Sequence, residues 1–152
     1  MTSVTHYLFR CPSCGIRNRI SAVHAGQTGK CGKCGGRLNT GELFLQQPLM
    51  VTDANFEEKV LRAPLPVLLD CWAPWCGACK IVSPVISELA AEFKGKFRIG
   101  KLNVDANPVT AARFDTRSIP TLLIFDNGHL KDTLVGAIPK PQIIQRMKEY
   151  LP

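Results

Sequence analysis

Six of the seven cysteines in this 152-residue chain fall into three C-x-x-C pairs, Cys11/Cys14, Cys31/Cys34 and Cys76/Cys79, and Cys71 stands alone. The stretch from Met1 to Arg10 has no apolar core and no small-residue cleavage site, so the expected location is cytoplasmic rather than exported. In a reducing compartment, cysteines serve as thiols, metal ligands or catalytic groups rather than as structural bridges. The residues around each pair must therefore decide what it does.

The first two pairs sit in matching turns, Cys11-Pro12-Ser13-Cys14-Gly15 and Cys31-Gly32-Lys33-Cys34-Gly35, with 16 residues between Cys14 and Cys31. A C-x-x-C-G turn presents two sulfurs from one tight loop, and its glycine lets the backbone fold beneath them. Two such turns supply the four soft ligands of a tetrahedral zinc site, at a spacing typical of one. Two reducible disulfides and a rubredoxin-like iron centre are the alternatives. A closed four-cysteine site has no coordination position for a substrate, so one zinc ion held by Cys11, Cys14, Cys31 and Cys34 implies a structural role. Residues 1–48 have few large apolar groups, and a piece of that size needs a metal to fold. His6 and His24 are read as surface residues.

Charge is concentrated in the same piece. Residues 1–50 hold six basic side chains (Arg10, Arg17, Arg19, Lys30, Lys33, Arg37) against Glu42 alone, a net +5, whereas the remainder carries 13 basic and 11 acidic residues. A basic patch can signal nucleic acid. Four thiolates around a divalent ion offset part of this charge, however, and nucleic acid is not the expected partner. No apolar run approaches the ~20 residues of a membrane span; Thr121–Phe125 is typical of the longest. A membrane partner is therefore not expected.

From residue 49 to 152 the pattern changes to apolar strands alternating with amphipathic helices. Residues 66–72, 97–104 and 121–125 read as buried strands. Asn127-Gly128 signals a hairpin into a further strand over 130–135. Asp53 is placed to cap a helix over 54–62, and Ile143, Ile144, Met147 and Leu151 mark a helix over 140–151. A central helix over 77–93 carries Ile81, Val82, Val85, Ile86, Leu89 and Phe93 on one face, with a kink expected at Pro84. The fold class that follows is α/β: a mixed central sheet flanked by helices, with a small N-terminal zinc-ribbon-like domain.

Cys76-Gly77-Ala78-Cys79 lies between a strand and a helix. Cysteines at i and i+3 of a first helical turn come within disulfide range after small rotations. The first also meets the free amides and positive end of the helix, which stabilise a thiolate. Cys76 is thus the expected nucleophile and Cys79 the shielded resolving thiol. A further metal knuckle would need another cysteine pair, and only Cys71 remains. Asp70 is unusual for a different reason, as a carboxylate in an apolar strand.

The segment W-A-P-W-C-G-A-C-K around these cysteines resembles the active-site segment of the thioredoxin family. The likeness extends to Asp70, K-L-N-V-D from Lys101, S-I-P-T at Ser118–Thr121, F-D-N-G from Phe125 and V-G-A at Val135–Ala137. With its N-terminal cysteine turns, the whole chain is similar to the thioredoxin-2 type. The resemblance implies a protein-disulfide reductase working through a mixed disulfide, with Cys76 and Cys79 as the redox-active pair. It makes Asp70 a buried proton acceptor for Cys79, Lys101 its cationic neighbour, and Pro120 the residue of a cis bond facing the disulfide. Trp75, Ile119, Gly136 and Ala137 would form the rim that receives disulfide-containing protein substrates, and a thioredoxin-reductase-like donor would return the electrons. Two positions depart from the family: Ala78 stands where proline is usual, and Cys71 where an aromatic is. Cys71 alternates with Asp70 along its strand and is expected in the core. The competing readings are an oxidase or isomerase and, from another class, a zinc-dependent protein-binding module or holdase.

Overall fold

The computed structural model describes residues 4–151; residues 1–3 and Pro152, the outermost residues of the two expected domains, lie outside it. The basic N-terminal piece forms two antiparallel hairpins, β1 (His6–Arg10) with β2 (Arg17–Ser21) and β3 (Thr28–Lys30) with β4 (Arg37–Asn39). Each C-x-x-C-G turn is the tip of one hairpin. Gly15 and Gly35 take positive φ there (78° and 73°), the conformation that glycine alone adopts freely. These strands were not foreseen, because their side chains alternate between solvent and a very small interior rather than a deep core. That interior is Phe9, Leu38 and Leu43, packed with Cys11, Cys31 and Leu65.

The larger part is a five-stranded mixed sheet of β5 (Leu49–Val51), β6 (Val67–Trp72), β7 (Arg98–Asn103), β8 (Thr121–Asp126) and β9 (His129–Val135). Its order is β5-β7-β6-β8-β9, with β6 parallel to β7 and antiparallel to β8. The hairpin between β8 and β9 turns through Asn127 and Gly128, both at positive φ, as the Asn-Gly signal requires. Leu68, Ile99, Leu122 and Ile124 cover one face, against α1 (Gly77–Glu92) and α3 (Lys140–Lys148). Leu69, Cys71, Leu102, Leu123 and Phe125 cover the other, against Phe56 and Val60. Burying each such side chain contributes roughly 1.5–3 kcal/mol. α1 runs unbroken through Pro84.

Two expectations need correction. The helix proposed over 54–62 is a short π-helical turn over Glu57–Leu61, and Asp53 does not cap it. The Asp53 carboxylate instead accepts hydrogen bonds from the amides of Val109 and Thr110 (3.2 and 2.8 Å), at the start of α2 (Pro108–Arg113), a helix the pattern did not disclose. The Thr110 side chain first, and then these two amides, hold the Asp53 pKa below its ordinary value. The local turn is closed by Thr52 and Asn55, each bonding the other's amide. The last helix ends at Lys148, with Tyr150 and Leu151 packing on the core beyond it.

The small domain is held to the sheet by ionic contacts. Arg10 pairs with Asp126 (3.4 Å), and its guanidinium also bonds the Gly15 carbonyl at the knuckle tip. Buried Arg98 pairs with Glu42 (3.2 Å) and donates to the Lys59 carbonyl.

Candidate functional site

The four cysteines of the hairpin tips converge. Their sulfurs all lie within 4.8 Å of one another, with Cys11–Cys34 at 3.6 Å and Cys14–Cys31 at 3.7 Å. Four sulfurs each ~2.3 Å from one zinc stand about 3.8 Å apart, so the donor set and its spacing fit that ion. Backbone amides point at the sulfurs: Ser13 at Cys11, Lys33 at Cys31 and Gly36 at Cys34, each at 3.3–3.4 Å. Asn18 braces the second knuckle, its Nδ2 donating to the Cys31 sulfur and its Oδ1 accepting from the Gly32 amide. Such donors stabilise negative sulfur. Asn18 carries no signal in sequence, because it belongs to no recognisable spacing. His6 and His24 lie outside the cluster.

The third pair stands on different architecture. β6 ends at Trp72, a short turn follows, and α1 begins at Gly77 with Cys76 as its N-cap. Cys76 and Cys79 are disulfide-bonded, with Cα atoms 5.3 Å apart. The Cys79 amide donates to the Cys76 sulfur at 3.1 Å, using one of the donors that a helix start leaves free. The expected contrast between an exposed Cys76 and a shielded Cys79 is slight in this oxidised form, 6% against 4% exposure. The asymmetry resides in the cap: one sulfur receives the helix's amide, and the other lies within the first turn.

On β6, the strand that leads to the disulfide, Asp70 is 1% exposed, and neither carboxylate oxygen has a hydrogen-bond partner among the described residues. Burial drives its pKa up to about 6, with the Lys101 charge pulling weakly the other way. Lys101 is its register partner on β7, yet the two form no ion pair. The ammonium instead bonds Ser83 Oγ on α1 (2.9 Å) and lies 5.1 Å over the Trp72 ring. A cavity of about 110 Å³ lined by Trp72, Ala73, Pro74, Cys79, Lys80, Ser83 and Lys101 adjoins them. Cys71 faces the opposite side of the sheet within the apolar core, and burial raises its pKa to about 12, with Asp70 adding to the effect.

Around the disulfide, Trp75 is 69% exposed, its indole donating to Asp105 at 2.8 Å. The Ile119–Pro120 bond is cis, Pro120 is buried and Ile119 half-buried. Trp75 and Ile119 both line an open groove of about 470 Å³ with Val104, Pro108 and Thr116. Gly136, at φ 95°, donates its amide to the Pro120 carbonyl (2.8 Å), so the 136–137 turn is fastened to the cis-proline loop. Ala137 is exposed. Sequence reasoning missed Asp105 and Ser83. The first closes the K-L-N-V-D run; the second lies one helical turn beyond Cys79, a spacing that offers a pointer toward the site.

Among known proteins, the thioredoxin family model matches residues 47–149. A thioredoxin of Haemophilus influenzae is 49% identical over 107 residues, covering 70% of this chain and all of that protein. One from Synechocystis is 50% identical over 101 residues, covering 66% of this chain and 94% of its own length. The chloroplast thioredoxin M-type of pea is 45% identical over 102 residues, 67% of this chain and 59% of that protein. The four-cysteine hairpins lie ahead of the matched residues.

Proposed function

The chain belongs to the thioredoxin family, and on that premise we propose that it is a protein-disulfide reductase in which Cys76 attacks and Cys79 resolves. The observation that carries this direction is the Cys76 sulfur at the α1 N-cap, receiving the Cys79 amide. In the dithiol form, the Cys76 thiolate attacks one sulfur of a substrate disulfide. A mixed disulfide forms, and the other substrate sulfur leaves as a thiolate. Cys79 then yields its proton to Asp70 and attacks Cys76, releasing the second substrate sulfur and closing the Cys76–Cys79 disulfide. Two electrons from an external dithiol donor of the thioredoxin-reductase kind restore the pair. A carboxyl with a pKa near 6 suits a proton acceptor working near neutrality, and Lys101, its partner across the sheet, lines a cavity together with Cys79.

The groove between Trp75 and Ile119 would receive an extended substrate segment, with Gly136 and Ala137 completing the rim and the Ile119 backbone pairing with it. Pro120 fixes that backbone. Residues 1–48 would form a zinc domain and 49–152 the catalytic domain. When bound, zinc would supply a cross-link between the two hairpin tips through Cys11, Cys14, Cys31 and Cys34. A cytoplasmic compartment suits five cysteines that are unpaired beside one redox pair. No helix among the described residues is long and apolar enough to cross a membrane.

The test is insulin reduction with a dithiol donor. Wild type should turn over, and Cys76→Ser should fall to the rate of the donor alone. Equal turnover in the variant would favour the binding-module reading.

A further inference from the structure

Asp70 and Lys101 are paired across β6 and β7, so their side chains leave the sheet on the same face, beneath the start of α1. An ammonium beside a buried carboxylate ordinarily closes an ion pair. Here it does not: the ammonium is bonded to Ser83 Oγ and lies over the Trp72 ring, and the carboxylate keeps no partner among the described residues. Ser83 occupies the middle of a helix, where a serine hydroxyl ordinarily turns back onto its own backbone or out to solvent. Its oxygen is spent on Lys101 instead.

We infer that Ser83 is a positioning residue that tethers the Lys101 ammonium away from Asp70, so that the carboxyl remains available to take a proton. The Trp72 ring contacts the same ammonium, but the serine oxygen is the hydrogen-bond acceptor it uses. From β8 the register partner of Asp70 is the apolar Leu122. From α1 come Cys79, held in the disulfide, and exposed Lys80, which lines the same cavity. On β6 itself, Cys71 faces the other side of the sheet. Among the described residues Lys101 is thus the cation acting on Asp70, and where its ammonium rests sets the carboxyl's affinity for protons. A cation within 4–6 Å lowers a carboxyl pKa by about 1–3 units. Without the serine oxygen, the half-buried lysine keeps only its ring contact with Trp72, and the carboxylate of its register partner Asp70 is left as an unfilled acceptor on the same face.

This inference rests on the proposed proton-acceptor role of Asp70 only for its meaning, since the tether can be read on the carboxyl itself. The experiment is an NMR titration of the Asp70 carboxyl carbon in the oxidised protein, assigned with Asp70→Asn. Ser83→Ala should lower the midpoint by about one unit, a tenfold fall in the protonated-to-ionised ratio. Ser83→Thr, which keeps the hydroxyl, should restore it. In a Lys101→Met background, Ser83→Ala should have no effect. An unchanged or raised midpoint in Ser83→Ala, or the same fall without Lys101, would overturn the tether. Should the midpoint fall while the pH dependence of mixed-disulfide resolution stays put, the tether stands and the proton-acceptor role of Asp70 is lost.

Discussion

The chain uses the C-x-x-C spacing for two different structures, and the backbone that follows each pair separates them. At Cys11/Cys14 and Cys31/Cys34 the next residue is a glycine at positive φ inside a hairpin tip, and the amide two residues on points at the first sulfur. Sulfurs then meet across the two tips, Cys11 with Cys34 and Cys14 with Cys31, and four donors share one centre. At Cys76/Cys79 the pair opens a helix. The amide three residues on reaches the first sulfur, and the sulfurs bond within the pair. Spacing brings two sulfurs together; the local fold decides whether they face another pair or each other.

Removing the metal should separate the two kinds of pair most sharply. The protein as purified under reducing conditions should contain one zinc, and Cys31→Ser should contain none by elemental analysis. Because metal binding in such small domains supplies roughly 10–16 kcal/mol of folding energy, amide protection over residues 6–39 should be lost in the variant. Turnover should fall far less than in Cys76→Ser. Zinc-free wild type with protected hairpins would show that the tips hold themselves together.

Much of this arrangement could be read from residues alone. The zinc ligands and the redox pair follow from local chemistry within a few positions, the three central strands of the large sheet follow from apolar runs buried on both faces, and β9 follows from its Asn-Gly turn, whereas the short edge strand β5 left no such run. What escaped depends on distant partners. Asp53 looks like a local cap, yet it serves α2, 56 and 57 residues away. The hairpins β1–β2 and β3–β4 bury too little to leave a periodic pattern. Asn18 acts through two hydrogen bonds to the second knuckle, and Asp105 and Ser83 through one each, contacts that residue type alone does not disclose. At the departure from the family at Ala78, the amide that reaches the Cys76 sulfur belongs to the next residue, Cys79.

A smaller effect is expected at Asp70. Its pKa lies near 6, about two units above the ordinary carboxyl value of ~3.9. The folded state therefore holds this proton more tightly than the unfolded chain, so stability is lost as pH rises from about 4 to about 6 and stays lost above that. Asp70→Ala should match wild type near pH 4 and exceed it at pH 7, by up to about 3 kcal/mol at 1.36 kcal/mol per unit. Denaturant unfolding at the two pH values measures the difference. A gap that shrinks as pH rises would refute the raised pKa.

The smallest shift concerns Ala78. Proline at this position fixes φ and stiffens the turn between the cysteines, favouring the disulfide. With the Cys79 amide as the donor to Cys76, only this stiffness differs between the two residues. Ala78→Pro should then make the potential more negative by about 30 mV, a tenfold change in equilibrium constant. Equilibration of both proteins with glutathione reads it, and an unchanged or less negative potential would remove Ala78 from the account.

The central claim is that one C-x-x-C pair reacts from its first sulfur while the other four thiolates stay committed to their site. Cys79→Ser, reduced and then mixed with a disulfide-bonded protein substrate, tests it directly through peptide mass mapping of the trapped complex. The account predicts one stable mixed disulfide, through Cys76, with Cys11, Cys14, Cys31 and Cys34 unmodified. A complex formed through any of those four, or equal trapping through Cys79 in the Cys76→Ser protein, would contradict it.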